Sequence, residues 1–183
     1  MMRAHLRQIS VIVLTRIWFF CHDRYQTDRL NFKMNEMQEA LRLAKQAAAE
    51  DEVPVGAVVV CNGQIVGRGY NRREQTQSPT SHAEIHAIEE ASKALGSWRL
   101  ENCILFVTLE PCPMCLAASQ QARVSKIIYG AQDLKGGAIS LGYELHKNEK
   151  MNHRFEVVYE PHAECSEILS EFFLKKRAEK KLK

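Results

Sequence analysis

The spacing of apolar and polar residues predicts alternating helices and strands along most of the chain. From Asn35 to Glu50, apolar residues recur every three or four positions, which is typical of a helix that buries one face. Val55 to Cys61 is a nearly continuous apolar, valine-rich run, as expected for a buried strand. The pair Asn62-Gly63 follows and is typical of tight hairpins, so Gln64 to Tyr70 is predicted to be the return strand.

The remainder of the pattern predicts helices and strands in turn, after a polar loop over residues 71–81. The predicted elements are a helix over 82–95, a strand over 103–108, a helix over 114–123, a strand over 126–130, a glycine-rich loop over 133–142, a strand over 155–159 and a helix over 164–181. Without an internal repeat or a linker, residues 34–183 are expected to form one domain. The predicted fold class is α/β, a three-layer helix-sheet-helix sandwich with one mixed sheet.

Three aromatic residues are assigned positions from this pattern. Tyr129 and Trp98 are expected in the core, although an exposed ring could instead stack on an unpaired base. Phe173 is expected on the inward face of the last helix, together with Phe172 and neighbouring apolar residues.

The first 33 residues do not continue the pattern. Arg3 and Arg7 precede an apolar run over 9–21 that Arg16 interrupts, and this run is too short to span a bilayer. No small-residue cleavage site follows it, which argues against a secretory signal. We therefore expect residues 1–33 to be a weakly ordered N-terminal extension outside the fold. A mitochondrial presequence stays open as an alternative, because no acidic residue precedes Asp23.

Cysteine usage and charge narrow the class of protein. Of six cysteines, only Cys112 and Cys115 form a C-x-x-C pair, which favours a reduced, cytoplasmic protein over a disulfide framework. The net charge of +3 comes from the two ends, because residues 1–33 and 171–183 each carry six Lys or Arg against two Asp or Glu. The mildly acidic body does not indicate a nucleic-acid partner. The basic C-terminal tail could bind phosphates, or it could only solvate a helix end.

Two short motifs carry the candidate chemistry, His82-Ala83-Glu84 and the segment from Pro111 to Cys115. One imidazole and two thiols are the three ligands of a zinc site whose fourth position is open, as a catalytic zinc requires. Pro113 can occupy the first position of a helix, where the free N–H groups favour thiolates. Residues two apart do not share a helix face, so Glu84 is expected to move protons beside the open position rather than bind the metal.

A closed site is the main alternative from residue types alone. His86 lies four residues after His82, and with Cys112 and Cys115 the two histidines would make a structural zinc site without chemistry. A C-x-x-C pair also occurs in redox proteins. The spacing of Glu84 and the proline before Cys112 favour the open site, because H-x-E followed by P-C-x-x-C is the known signature of zinc-dependent nucleobase deaminases.

The chain from about Asn35 onwards resembles the bacterial tRNA-specific adenosine deaminases of the cytidine-deaminase-like superfamily. The matching segments are Glu52-Val53-Pro54-Val55-Gly56-Ala57, Gly69-Tyr70-Asn71, Pro79-Thr80-Ser81-His82-Ala83-Glu84-Ile85, Trp98-Arg99-Leu100-Glu101, Val107-Thr108-Leu109-Glu110-Pro111-Cys112-Pro113-Met114-Cys115, Tyr129-Gly130-Ala131, Asp133, Lys135-Gly136-Gly137, Asn152-His153-Arg154 and Phe172-Phe173. The last two segments point to the branch that acts on tRNA.

This resemblance implies an enzyme that converts the wobble adenosine of a tRNA anticodon, position 34, to inosine. It further implies a cytidine-deaminase-like fold, a homodimer, the tRNA anticodon arm as substrate, one Zn2+ per subunit and no organic cofactor or membrane. The zinc ligands would be His82, Cys112 and Cys115, with Glu84 as proton shuttle. Asn71 would hold the target nucleoside, and Asp133 would lie on the RNA-facing side.

Other readings of these residues remain open at this stage. From the sequence alone, Asn71 could simply be a turn residue and Asp133 a residue that caps its own loop. The runner-up function is deamination of a free base or nucleoside, such as guanine, cytosine or cytidine. A third possibility is a non-catalytic, zinc-stabilised module that binds RNA.

Overall fold

A five-stranded mixed sheet with helices on both faces forms the body of the protein. The computed structural model describes residues 36–181. The sheet order is β2-β1-β3-β4-β5; β1 pairs antiparallel with β2 and β3, whereas β3, β4 and β5 run parallel. The elements in chain order are α1 (36–49), β1 (Gly56–Cys61), β2 (Gln64–Tyr70), α2 (Arg73–Thr76), α3 (Ala83–Leu95), β3 (Cys103–Leu109), α4 (Pro113–Gln121), β4 (Lys126–Ala131), a 3-10 turn (Leu145–Lys147), β5 (Glu156–Tyr159) and α5 (Ala163–Lys181).

The two faces of the sheet are covered by different helices, which explains why its central strands are apolar throughout. Alternate residues of β1 and β3, such as Val59 and Leu105, pack against α3 and α4 in one buried cluster. Their neighbours Val58 and Phe106 point the other way, into a second cluster with α1 and the start of α5. A strand buried on both sides needs apolar residues at every position.

The architecture confirms the predicted α/β sandwich with one mixed sheet, and the boundaries differ by only one or two residues. The hairpin forms as expected, with Asn62 and Gly63 at φ 48° and 80°. The loop over 71–81 contains a short helix, α2, that the apolar pattern did not predict. The predicted extension over residues 1–33 lies outside the described residues, so that domain assignment stays a prediction.

Two aromatic positions were assigned wrongly. Trp98 is 54% exposed in the short connection after α3, where its ring is covered by the Arg99 guanidinium, 4.1 Å from the ring centroid. Phe173 is 41% exposed, because α5 packs on the sheet chiefly through its first half, where Cys165 is buried. Tyr129, in contrast, is buried on β4 as expected.

Within residues 36–181, none of the helices combines the length and the apolar character needed to cross a membrane.

Candidate active site

Two helix starts meet at one end of the sheet. His82 precedes the first residue of α3 and Cys112 precedes the first residue of α4, both with extended backbone. Pro113 begins α4, where its missing N–H breaks no helical hydrogen bond. Gly69 lets α3 approach β2 closely, because a Cβ at this position would overlap the carbonyl oxygen of Ala83. The sheet therefore fixes where the first turn of α3, and with it His82, is placed.

The three expected zinc ligands lie together. Nδ1 of His82 is 3.7 Å from Sγ of Cys112 and 3.5 Å from Sγ of Cys115, and the three donor atoms lie within 4.8 Å of one another. A tetrahedral zinc with Zn–N bonds of about 2.0–2.1 Å and Zn–S bonds of about 2.3 Å separates nitrogen and sulfur by about 3.6 Å. The donor set and its spacing therefore fit a zinc ion.

His86 is not part of this cluster. Its Cβ lies against Gly69 on β2, and its side chain lines a different cavity together with Arg68 and Lys93. In the described part of the chain, the group of residues able to hold a metal comprises His82, Cys112 and Cys115. The alternative of a closed site completed by His86 is therefore wrong, and the three donors leave a fourth position open.

The two thiols and the imidazole shift one another's pKa values. The Cys115 thiol, donating to Cys112, and then the His82 ring lower the pKa of Cys112 to about 4. The hydrogen bond to Cys112 in turn raises the pKa of His82. The same donation and burial raise the pKa of Cys115. A site that concentrates negative charge on sulfur next to an imidazole is suited to a divalent cation.

Glu84 lies beside the cluster but does not belong to it. Its side chain is 3% exposed, and burial raises its pKa to about 7. A carboxyl with a pKa near neutrality can both accept and return a proton at physiological pH. This environment is the one that a proton shuttle requires.

A cavity of about 170 Å³ opens over the cluster. It is lined by Val53, Val55, Asn71, Arg73, His82, Ala83, Glu84, Leu109, Glu110, Cys112 and Asp133. Every residue predicted for the site thus lines this cavity except Cys115, which is fully buried. Their roles stay predictions, whereas their proximity is observed.

Asn71 lies at the end of β2 and is held by a buried carboxylate that sequence reasoning missed. Its Nδ2 donates to Oε2 of Glu52 at 3.1 Å, and Oε1 of Glu52 accepts the backbone N–H of Gln75 in α2 at 2.7 Å. Glu52 is 1% exposed and Asn71 5%. Glu52 could have been identified from its place just before a buried strand, because a carboxylate is costly to bury there unless it has a role.

Glu110 is a second buried carboxylate and holds the glycine-rich loop. Its oxygens accept the backbone N–H of Asp133 at 3.1 Å, the N–H of Ser140 at 2.7 Å and the Ser140 hydroxyl at 2.7 Å. Gly137 is needed beside it, because a Cβ there would collide with the Glu110 carboxyl group. Neither Glu110 nor the cavity-lining Arg73 was predicted as a site residue; Glu110 could have been suspected because it directly follows β3.

Asp133 caps its own loop. Its Oδ1 accepts the backbone N–H groups of Lys135 at 3.1 Å and Gly136 at 3.0 Å. This arrangement is the loop-capping alternative left open by the sequence. Asp133 is also part of the cavity lining, so its carboxylate orders the loop next to the cavity.

Comparison with known proteins agrees with this geometry. A sequence profile of the MafB19-like deaminases matches residues 31–177. A tRNA-specific adenosine deaminase of Bacillus subtilis is 49% identical over 146 residues, which cover 79% of this chain and 91% of that protein. A solved structure from a study of A-to-I editing by tRNA:A34 deaminases at the wobble position superimposes with a TM-score of 0.70 at 42% identity, covering 74% of this chain and 99% of the other. A guanine deaminase structure from Bacillus subtilis gives a TM-score of 0.54 at 33% identity, over 79% and 93% of the two chains.

Proposed function

This chain belongs to the family of tRNA-specific adenosine deaminases, and from that premise we propose that it hydrolyses the wobble adenosine, position 34, of a tRNA anticodon to inosine. Water replaces the 6-amino group of the base, and ammonia is released. The observation that carries the proposal is the cluster of His82, Cys112 and Cys115 with the buried Glu84 beside it, at the base of a cavity.

The site would work with one Zn2+ held by His82, Cys112 and Cys115. When bound there, a zinc ion supplies a Lewis acid that lowers the pKa of water. The ligands come from two helix starts packed on one sheet, so the chain presents them without rearrangement. The free N–H groups at the start of α4 favour the thiolate form of Cys112.

Glu84 would carry the protons. Its carboxylate takes a proton from the attacking water, which makes the oxygen a better nucleophile towards the carbon that bears the amino group. The same carboxyl would pass that proton to the ring nitrogen. It would then take the second proton from the newly attached hydroxyl and give it to the departing amine, so that ammonia leaves and the carbonyl forms; one residue thus acts as base and as acid in turn. Burial supports this alternation by holding its pKa at about 7.

The remaining cavity residues would orient the nucleoside. Asn71 and Asp133 line the same cavity as His82 and Cys112, and Arg73 adds a cation to that lining. The base has to leave its stack to enter a cavity of this size, as it does in base-flipping enzymes. We expect the folded anticodon arm to be the substrate, a homodimer to be the active form and the cytoplasm to be the location.

Deamination of a free base is the second candidate, and the guanine deaminase structure at 33% identity favours keeping it. The two functions separate by substrate. A tRNA enzyme acts on an anticodon stem-loop and loses activity as salt rises, because phosphate contacts contribute to its affinity. A free-base enzyme ignores the stem-loop and depends little on salt.

The test is an inosine assay on the zinc-loaded protein. An arginine-tRNA anticodon stem-loop with adenosine at the wobble position is compared with the same stem-loop carrying guanosine there, and with free guanine, cytosine and cytidine. Inosine from the adenosine stem-loop alone supports the proposal. Conversion of a free base without any inosine would reject the tRNA reaction in favour of free-base deamination. Inactivity on every substrate would favour the third possibility, a non-catalytic module that binds RNA.

A further inference from the structure

We infer that Glu52 is a positioning residue, which fixes the orientation of the Asn71 side-chain amide so that its oxygen, rather than its nitrogen, faces the bound nucleoside. This inference rests on the proposed function, because it concerns the residue that would hold the nucleoside in that site. Nothing in the motifs for metal binding or proton transfer requires Glu52, which lies outside the cavity lining.

Glu52 is buried and forms no ion pair with the described residues. Its side chain is 1% exposed. A carboxylate removed from water needs hydrogen bonds in return. Glu52 has two from neutral donors, the Gln75 backbone N–H at 2.7 Å and Asn71 Nδ2 at 3.1 Å.

This arrangement admits only one orientation of the Asn71 amide. The Gln75 N–H is a backbone donor that occupies Oε1 and cannot be reversed. The remaining oxygen of Glu52 needs a donor, and the Asn71 side chain offers one only through its nitrogen. An amide that presents nitrogen to Glu52 presents Oδ1 on its other side.

Asn71 also borders the site. Asn71 is the member of this pair that lines the cavity shared with His82 and Glu84. Among the described residues no donor occupies Asn71 Oδ1, so this oxygen is available to a ligand. The backbone around Asn71 is fixed as well, because its N–H donates to Val55 at the entry to β1. Oδ1 is thus suited to accept a hydrogen bond from a hydroxyl or N–H group of a nucleoside.

Replacement of Glu52 by glutamine should reverse the orientation of the Asn71 side-chain amide, while the side chain at position 52 keeps nearly the same volume. The Gln75 N–H still needs the oxygen of residue 52, so the new NH2 group is left facing Asn71. Asn71 can then pair only by presenting Oδ1 to residue 52, which turns its NH2 group towards the cavity. The double variant E52Q/N71D restores an oxygen to the cavity, because an aspartate offers one oxygen to Gln at position 52 and keeps the other free.

We therefore expect E52Q to lower kcat/KM for the adenosine stem-loop about tenfold, the value of roughly one hydrogen bond, mainly through KM. N71D alone should be at least as impaired, since it places the new aspartate against the carboxylate of Glu52. E52Q/N71D should recover a large part of the loss. The control is Glu50→Gln. Glu50 lies two residues before Glu52, is exposed and contacts Tyr70 and Gln46, so this substitution removes the same charge outside the proposed pair. It should match the wild type.

A second measurement decides the inference without catalysis. In a ¹H–¹⁵N spectrum of the wild type, the Asn71 side-chain NH2 signal, identified by its loss in N71D, should be protected from solvent exchange. In E52Q the same signal should exchange faster. If the wild type made no inosine, the proposed function would fail while this spectrum still tested the orientation. Wild-type activity in E52Q with an unchanged Asn71 signal would overturn the inference, and so would a double variant no better than its parents.

Discussion

The two walls of the cavity are built by different means. The metal wall, defined by His82, Cys112 and Cys115, is made from residues close to two helix starts, so His82 is placed by α3 and both cysteines are placed by α4. The loop wall, defined by Asn71 and Asp133, is made from connections between elements. It is held by Glu52 and Glu110, whose partners lie 19 to 30 residues away in the sequence.

This difference separates the chemistry from the recognition of the substrate. Helices packed on a sheet give the ligands positions that a single surface change does not disturb. The loop wall depends on two buried carboxylates. Glu52 accepts the Asn71 side-chain amide and one backbone N–H, and Glu110 accepts two backbone N–H groups and a hydroxyl of the glycine-rich loop. Substitutions in the metal wall should therefore abolish the reaction, whereas substitutions behind the loop wall should weaken it and leave the metal in place.

The largest effect is expected for Cys115→Ser, which removes a ligand from the metal wall. Zinc content should fall from about one per chain towards zero, and inosine formation should be lost, because two remaining ligands cannot hold the ion in an open tetrahedral site. Metal analysis and the stem-loop assay measure the two outcomes. Cys61→Ser, a partly exposed cysteine outside the cavity lining, is the matched control and should keep both. A Cys115→Ser protein with full zinc content would show that the metal lies elsewhere.

An intermediate effect is expected for Glu110→Gln, behind the loop wall. Both oxygens of Glu110 accept backbone N–H groups that cannot reverse, so the new NH2 group would face a donor, at a cost of about 1–3 kcal/mol. The loop over 133–142 should loosen and kcat/KM should fall about tenfold at unchanged zinc content. Hydrogen exchange of the Ser140 amide reports the loop directly. The control Glu144→Gln removes an exposed carboxylate from the segment that follows and should behave as the wild type; equal activity in both variants would sink the role given to Glu110.

The smallest effect is expected for Asp133→Asn. An asparagine keeps the oxygen that accepts the N–H groups of Lys135 and Gly136, so the loop cap survives. We expect no more than about a twofold change in kcat/KM if Asp133 acts through the loop. A loss of tenfold or more at unchanged stability would instead assign its charge to direct contact with the substrate.

The same contrast determines how much could be read from the sequence. The fold was predictable because its signals are local: the valine-rich run of β1, the Asn62-Gly63 turn and the three-to-four residue spacing of α3. The metal wall was predictable for the same reason, since both of its motifs are short and each spans a helix start. His86 shows the limit of spacing alone: it lies four residues after His82, yet its Cβ lies against Gly69 and its side chain lines a different cavity.

The carboxylates behind the loop wall were not predicted. Asn71 and Asp133 were named from the resemblance, whereas Glu52 and Glu110 offered only the weak signal of an acidic residue next to a buried strand; their role follows from the fold, which brings Asn71 and Ser140 to them. Trp98 and Phe173 were misplaced for a related reason: apolar character predicts burial only where a neighbouring element covers the residue. Within residues 36–181, no element covers these rings: Trp98 after α3 and Phe173 in the second half of α5 are both exposed.

The most direct test of the account is Glu84→Gln, measured for zinc content, stem-loop affinity and inosine formation together. Glutamine fills the same buried space but cannot take up and return a proton. The account predicts zinc and RNA binding close to the wild type, with inosine formation lower by at least about a hundredfold. Inosine formed at the wild-type rate by a zinc-loaded Glu84→Gln protein would contradict it.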